Sequence, residues 1–171
     1  MSGAFGSGAS GASPPGSGTS GSHTPGAGAS AGGTFGRGTG RGGASTRSCP
    51  CGSGAAYAVC CQPLHDGERT PLTAEELMRS RYAAFAVGAG DYLSRTWHPA
   101  HRPADLALDP DLTWTGLEVL DTRAGGPDDD QGEVEFRASW RQGRERGVLH
   151  ERSRFGRRGG RWVYLDGDVL G

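Results

Sequence analysis

An α+β domain over residues 70–171, standing behind a compact four-cysteine metal site, is the architecture this sequence predicts. Three observations predict it. Val134, Phe136, Ala138 and Trp140 alternate with charged and polar residues in the period of a half-buried strand. Thr73 with Glu76 three residues later opens a helical pattern. All four cysteines fall between Cys49 and Cys61, and half of the 32 glycines precede Ser48.

Residues 1–47 have Met1, Phe5 and Phe35 as their only large apolar side chains, the rest being chiefly Gly, Ser, Ala, Thr and Pro. Such a segment buries too little surface to offset its ordering entropy, so it reads as a disordered, flexible tail. No Leu, Val or Ile precedes Val59, which leaves no apolar core for an export signal, and no apolar run is long enough to span a bilayer. A cytoplasmic protein is expected. The net charge of −1 excludes a global field for nucleic acid or acidic membranes. Arg37, Arg41 and Arg47, set among glycines with no acid before Asp66, leave a weak local route to RNA. The absence of Lys, Ile and Asn points to GC-rich coding rather than to selection for guanidinium chemistry.

Residues 48–65 carry Cys49, Cys51, Cys60 and Cys61. In a reducing compartment this density is explained better by a metal than by disulfides, with a redox pair as the alternative. Zinc suits four thiolates on short turn-forming connections, which Pro50 and Gly52-Ser53-Gly54 provide. Ala55 to Val59 is expected to form one helical turn delivering the last two cysteines. A closed four-sulfur site has no position for water, so it is structural rather than catalytic. His65 is the one candidate to replace a cysteine, because adjacent side chains do not easily aim at one metal.

Behind this site, the helix opened by Thr73 places Leu77, Met78, Tyr82 and Phe85 on one face and ends at Gly88 and Gly90. Asp91 is expected to cap a second short helix through Tyr92, Leu93 and Trp97, stopped by Pro99. Leu112 and Trp114 share a parity that Leu117 and Val119 reverse, which predicts a β-bulge near Gly116. Residues 148–155 alternate so that Leu149, Glu151, Ser153 and Phe155 share a face. Arg157-Arg158-Gly159-Gly160 reads as a hairpin, Trp162 to Leu165 as a central strand apolar on both faces, and Asp166-Gly167 as the turn that takes the chain out.

Cys-Pro-Cys-Gly-Ser-Gly followed by Tyr57 and Cys60-Cys61 resembles the SEC-C zinc motif, whose members use it mainly to bind protein partners. Leu77 to Tyr82, Tyr92-Leu93, Thr96 to Pro99, Glu151 to Phe155 and Trp162 to Gly167 resemble the YchJ-type bacterial family, which has no established activity. The resemblance implies a nuclear transport factor 2-like (NTF2-like) fold, a cone of helices packed on a bent antiparallel sheet. A bulged, bent sheet agrees with that.

Within such a cone Glu151 beside Ser153 is the most chemically suggestive pair. A carboxylate there must be paired, hydrogen-bonded or protonated. Either it binds Arg79 or Arg81 and ties the layers together, or it serves as a general base in a small-ligand pocket with Tyr82, Trp97 and His98. Buried acids are more often structural, which favours the first. His98 before Pro99 is also a plain wet helix end, and core-facing aromatics are more often packing than stacking platforms. No phosphate loop, dinucleotide fingerprint or nucleophile-and-base arrangement is present.

Overall fold

The computed structural model describes residues 47–171. The expected tail, with Arg37 and Arg41, lies outside the described residues, and Arg47 is their exposed first member. After a 3-10 turn at Tyr57–Val59 come α1 (Gln62–His65), α2 (Ala74–Val87) and α3 (Gly90–Arg95). Four strands follow: β1 (Leu112–Ala124), β2 (Gln131–Gln142), β3 (Glu145–Arg158) and β4 (Arg161–Val169). They form one antiparallel sheet in the order β1-β2-β3-β4.

α2 begins as its sequence predicts. The Thr73 hydroxyl accepts from Glu76 N at 3.1 Å, and the Glu76 carboxylate accepts in return from Leu72 N at 2.7 Å, one residue before the cap. Gly88 closes the helix at φ +78°, a conformation that favours glycine. The buried face is wider than one stripe, because Ser80, Ala83 and Ala84 are buried along with Leu77, Met78 and Tyr82. One side of α2 meets the sheet and another meets the cysteine segment.

α3 differs from expectation. It starts at Gly90 behind Ala89, so Asp91 lies in its first turn, favourable to the helix dipole but not a cap. It also ends at Arg95, which leaves Trp97 outside it. The reason lies in the sheet: Tyr164 N donates to Thr96 O and His98 N donates to Tyr164 O, each at 2.8 Å, so residues 96–98 are drawn into a short parallel bridge along β4.

β2 and β3 pair in register as read from their alternation, with Phe136 opposite Glu151 and Val134 opposite Ser153. Their inward rows, including Phe136, Ala138, Glu151 and Phe155, are buried. β1 carries the expected irregularity between Trp114 and Gly116 and a second between Val119 and Asp121. Bulges add twist and bend the sheet around α2. β4 is not central but terminal in the sheet; its Trp162 and Tyr164 lie in the core, and the 96–98 segment bridges its outer edge at Tyr164. Nor does the chain leave at Gly167, which pairs with Ser153 while the strand runs to Val169.

Candidate functional site

The cysteine segment is a knuckle closed by its own backbone. Cys49 N donates to Ala55 O at 2.8 Å, Ser48 bridges Ala56, and Gly52 and Gly54 turn the loop at φ +77° and +78°. Gly52 is required twice, because a Cβ there would also lie 3.3 Å from Leu117 O on β1. The expected helical turn is the 3-10 turn Tyr57–Val59. Cys60 then adopts φ −109° and ψ −92°, outside the helix and strand wells, which lets the adjacent Cys60 and Cys61 face one centre.

All four sulfurs lie within 4.8 Å of one another, with Cys51 and Cys60 at 3.6 Å. The Ser53 hydroxyl sits 3.2 Å from the Cys60 sulfur. Shared protons make the thiols unequal. Hydrogen bonds from Cys49 and Cys61 push Cys51 far below the ordinary thiol range, while Cys49 rises to about 11 chiefly through its bond with Cys51. Cys61 is raised further, by its bonds with Cys49 and Cys51 and by burial. A donor set of four soft sulfurs, largely buried and converging, fits a single metal ion.

His65 is placed otherwise. Its Nε2–H donates to Ser80 O at 2.8 Å, and its Nδ1 accepts from the Tyr57 hydroxyl at 2.8 Å, so both ring nitrogens are taken. Burial, its largest influence, lowers its pKa and keeps the ring neutral. His65 is therefore a clamp between knuckle and α2 rather than a ligand. Arginines grip the knuckle from outside: Arg79 donates to Cys51 O at 3.0 Å, Arg69 to Cys60 O at 2.9 Å, and Arg95 to Leu64 O at 3.0 Å. These bonds fix the knuckle's carbonyls, while the charges of Arg69 and Arg79 are themselves paired with Glu76 and Glu75.

The interior behind α2 is packed. Glu151 is fully buried; its Oε1 accepts from the Ser153 hydroxyl at 2.6 Å and from the Tyr164 hydroxyl at 3.4 Å. Arg81 lies between the Trp97 and Tyr164 rings at 4.9 and 4.7 Å and donates through Nη1 to Leu93 O and Thr96 Oγ1, both at 2.9 Å. Burial lowers the Arg81 pKa to about 10, and the nearby Glu151 carboxylate acts against that shift. Burial and the Glu151 carboxylate together push the Tyr164 phenol well upward.

Of the candidates for this pocket, Glu151, Ser153, Arg81 and Trp97 belong to one network through Tyr164. Arg79 does not: it pairs with Glu75 at 2.8 Å and with the knuckle. Tyr82 packs edge-on to Trp114, its hydroxyl raised to about 12 by burial. His98 lies at the partly exposed surface, its ring 5.2 Å from that of His101. Three clefts on the described surface, of about 470, 500 and 620 Å³, are lined by none of Glu151, Ser153, Arg81 or Tyr82.

Sequence reasoning missed the clamp and the carbonyl-gripping arginines. Pro63 after Cys61-Gln62 was a usable signal for a helix start there. Nothing local marks Arg69, Arg79 or Arg95 as knuckle contacts, since their partners lie 9 to 31 residues away.

A four-thiol knuckle clamped to a helix that packs on a bent antiparallel sheet defines a SEC-C motif protein with an NTF2-like body. The SEC-C motif matches residues 48–63, and the YchJ middle NTF2-like domain matches residues 73–167. The chain belongs to the YchJ-type family, whose relatives carry the label UPF0225. It is 54% identical over 125 residues to a UPF0225 protein of Streptomyces coelicolor, covering 73% of this chain and 98% of that one. A UPF0225 protein of Corynebacterium efficiens is 51% identical, with 71% and 92% covered. Among solved structures, the solution structure of a SEC-C motif containing protein from Rhodopseudomonas palustris aligns at a TM-score of 0.64 with 36% identity, covering 72% of this chain and 99% of that one. The crystal structure of a SEC-C motif containing protein from Psychrobacter arcticus aligns at 0.61 with 29% identity, covering 75% and 85%. No helix among the described residues is long and apolar enough to cross a membrane.

Proposed function

We propose that this protein is an interaction module built on a structural zinc site, with Cys49, Cys51, Cys60 and Cys61 as the ligands and the outer face of the knuckle as the docking point for a protein partner. The observation that carries the reading is the convergence of four sulfurs within 4.8 Å while His65 is engaged elsewhere. Zinc bound by four thiolates supplies folding free energy and leaves no position for a reacting water. The chain's own residues do the rest. Ser53 supports the Cys60 sulfur, His65 and Arg79 fix the knuckle on α2, and Val59 stands on its outer turn at 72% exposed. An apolar side chain so exposed on a rigid turn is suited to a partner's pocket.

The alternative, a small-ligand site or enzyme around Glu151, has less support. Tyr164, Ser153 and the backbone of Gly167 press on that carboxylate, and a Cβ at Gly167 would lie 2.3 Å from its Oε1. The zinc reading also implies a reducing compartment such as the cytoplasm, where the thiols are kept for metal.

A photo-crosslinking residue at position 59, compared with one at the exposed sheet residue Val148, tests the interaction in living cells. One discrete adduct from position 59, absent from position 148 and lost in Cys60→Ser/Cys61→Ser, is expected. Identical adducts from both positions would contradict it.

A further inference from the structure

The arginines of this chain are distributed unequally with respect to acids. Several on the sheet are paired: Arg152 with Glu135, Arg154 with Asp166 and Asp168, Arg123 with Asp121, and Arg137 reaches Glu118 at 4.0 Å. A different situation holds in the cleft of about 470 Å³ between the segment after α1, α3 with the loop behind it, and the β3–β4 hairpin. Arg69, Arg95, Arg102, Arg158 and Arg161 line it, and no Asp or Glu does. In a chain with 18 basic and 19 acidic side chains, five arginines and no acid around one concavity is a concentration of positive charge that the composition does not impose.

The way these side chains are held matters as much as their number. Arg95 donates to Leu64 O and His65 O and lies over the Tyr92 ring at 4.8 Å, while Arg102 donates to Ser94 O at 3.3 Å. Carbonyls and aromatic faces orient a guanidinium without cancelling its charge, and each guanidinium has further N–H groups to offer. Arg158 and Arg161 flank the Gly159-Gly160 turn, where φ values of +58° and +76° build a tight hairpin that presents both side chains at the exposed rim. Only Arg69 has a carboxylate partner, Glu76.

We propose that this cleft binds a small ligand carrying two or more linked phosphate groups, in the class of inorganic pyrophosphate or a nucleoside di- or triphosphate. Arg95 and Arg102 are its pre-set arms and Arg158 with Arg161 its rim clamp. Four uncompensated guanidiniums call for a multiply charged anion, and their planar forks match phosphate oxygens in pairs. The cleft volume falls within the roughly 300 to 1,000 Å³ usual for small-molecule sites. A nucleic-acid strand is disfavoured because Arg152 and Arg154, which lead away from the hairpin along β3, are paired with acids. The rim pair stands on the β3–β4 hairpin, whereas Arg95 is held by the Leu64 and His65 carbonyls behind the cysteines, so the site is tested on the chain as purified, with no chelator.

Calorimetric titration of the full chain with sodium pyrophosphate, with ATP and with a short single-stranded RNA tests the proposal. The variants are Arg158→Ser/Arg161→Ser and, as a control removing equal charge from the sheet, Arg137→Ser/Arg141→Ser, both checked for an unchanged melting temperature. Saturable binding of pyrophosphate or ATP at one site is expected, weakened about tenfold or more by the hairpin variant and less than about twofold by the control. Equal affinities would assign recognition to the linked phosphates alone, and tighter ATP binding would add a contact to the nucleoside; both support the site. Absence of saturation by about 1 mM, equal weakening in the control, or binding of the RNA alone would each overturn it.

Discussion

In the knuckle the buried side chains are Cys49, Cys51, Cys61, Leu64 and His65, whereas in the domain behind it they include Leu77, Tyr82, Leu93, Phe136, Phe155 and Trp162. The first set contains one aliphatic side chain and three thiols, and the second is a continuous apolar core. Burial of the larger set supplies the usual roughly 25 cal/mol per Å² of apolar surface, while the smaller set has little such surface to remove from water. On this account the proposed zinc supplies the knuckle's order, whereas the domain is ordered by packing. Their interface combines the His65 clamp and the Arg79 bond to Cys51 O with apolar contact, Leu64 lying in the domain's core and Ala83 of α2 packing against the cysteines.

If the domain is held by its own packing, its most sensitive point is the one place where charge is buried. Arg81→Met is expected to cost about 3 to 5 kcal/mol, because it removes a buried positive charge that interacts with the buried Glu151 carboxylate. Glu151→Gln is expected to cost roughly 1 to 3 kcal/mol. The double variant should cost less than the sum by more than about 0.5 kcal/mol, measured by urea unfolding. Strict additivity would show that the two groups do not stabilise one another.

Gly167→Ala probes the same region through shape, since the added Cβ would lie 2.3 Å from Glu151 Oε1 and 2.8 Å from its Cδ. A cost of about 1 to 3 kcal/mol is expected from overpacking, read as a lowered urea midpoint with the slope unchanged. An unaltered midpoint would mean that the interior has room for Glu151 to move, which would revive the pocket reading.

The smallest effect belongs to the outer face of the sheet. Hydrogen bonds from His150 and Arg152 hold the Glu135 carboxyl below its usual 4.5. A depressed folded-state pKa gives stabilisation that is present above the unfolded value and lost as pH falls through the folded one. Stability measured between about pH 5 and pH 2 should therefore fall less steeply in Glu135→Gln than in the parent. An identical slope would remove this cluster from the acid response.

Much of this arrangement was legible in the amino-acid order because it is periodic or local. The alternation in β2 and β3 put Phe136 and Glu151 on the inward face, the parity change in β1 marked the bulge at Gly116, and Thr73 with Glu76 marked the start of α2. The errors fall where a distant partner overrides the local signal. Trp97 reads as helical until Tyr164, 67 residues later in the chain, draws its segment onto β4. Gly167 reads as a turn until the carboxylate of Glu151 is found lying against it. Arg79 and Arg81 stand two positions apart on one helix and so point to different sides, one to the knuckle and one to the core. The clustering of cysteines was visible, but the engagement of His65 by Tyr57 and Ser80 was not, because a histidine's hydrogen-bond partners leave no trace in spacing.

The contrast between a knuckle ordered by metal and a domain ordered by packing is tested most directly by amide NMR spectra of the protein, purified without added metal, before and after treatment with a strong chelator, alongside metal analysis. One zinc per chain is predicted, with the resonances of residues 48–65 collapsing on chelation while those of β2 and β3 stay dispersed. A metal-free preparation whose knuckle resonances are sharp and indifferent to chelator would contradict the account.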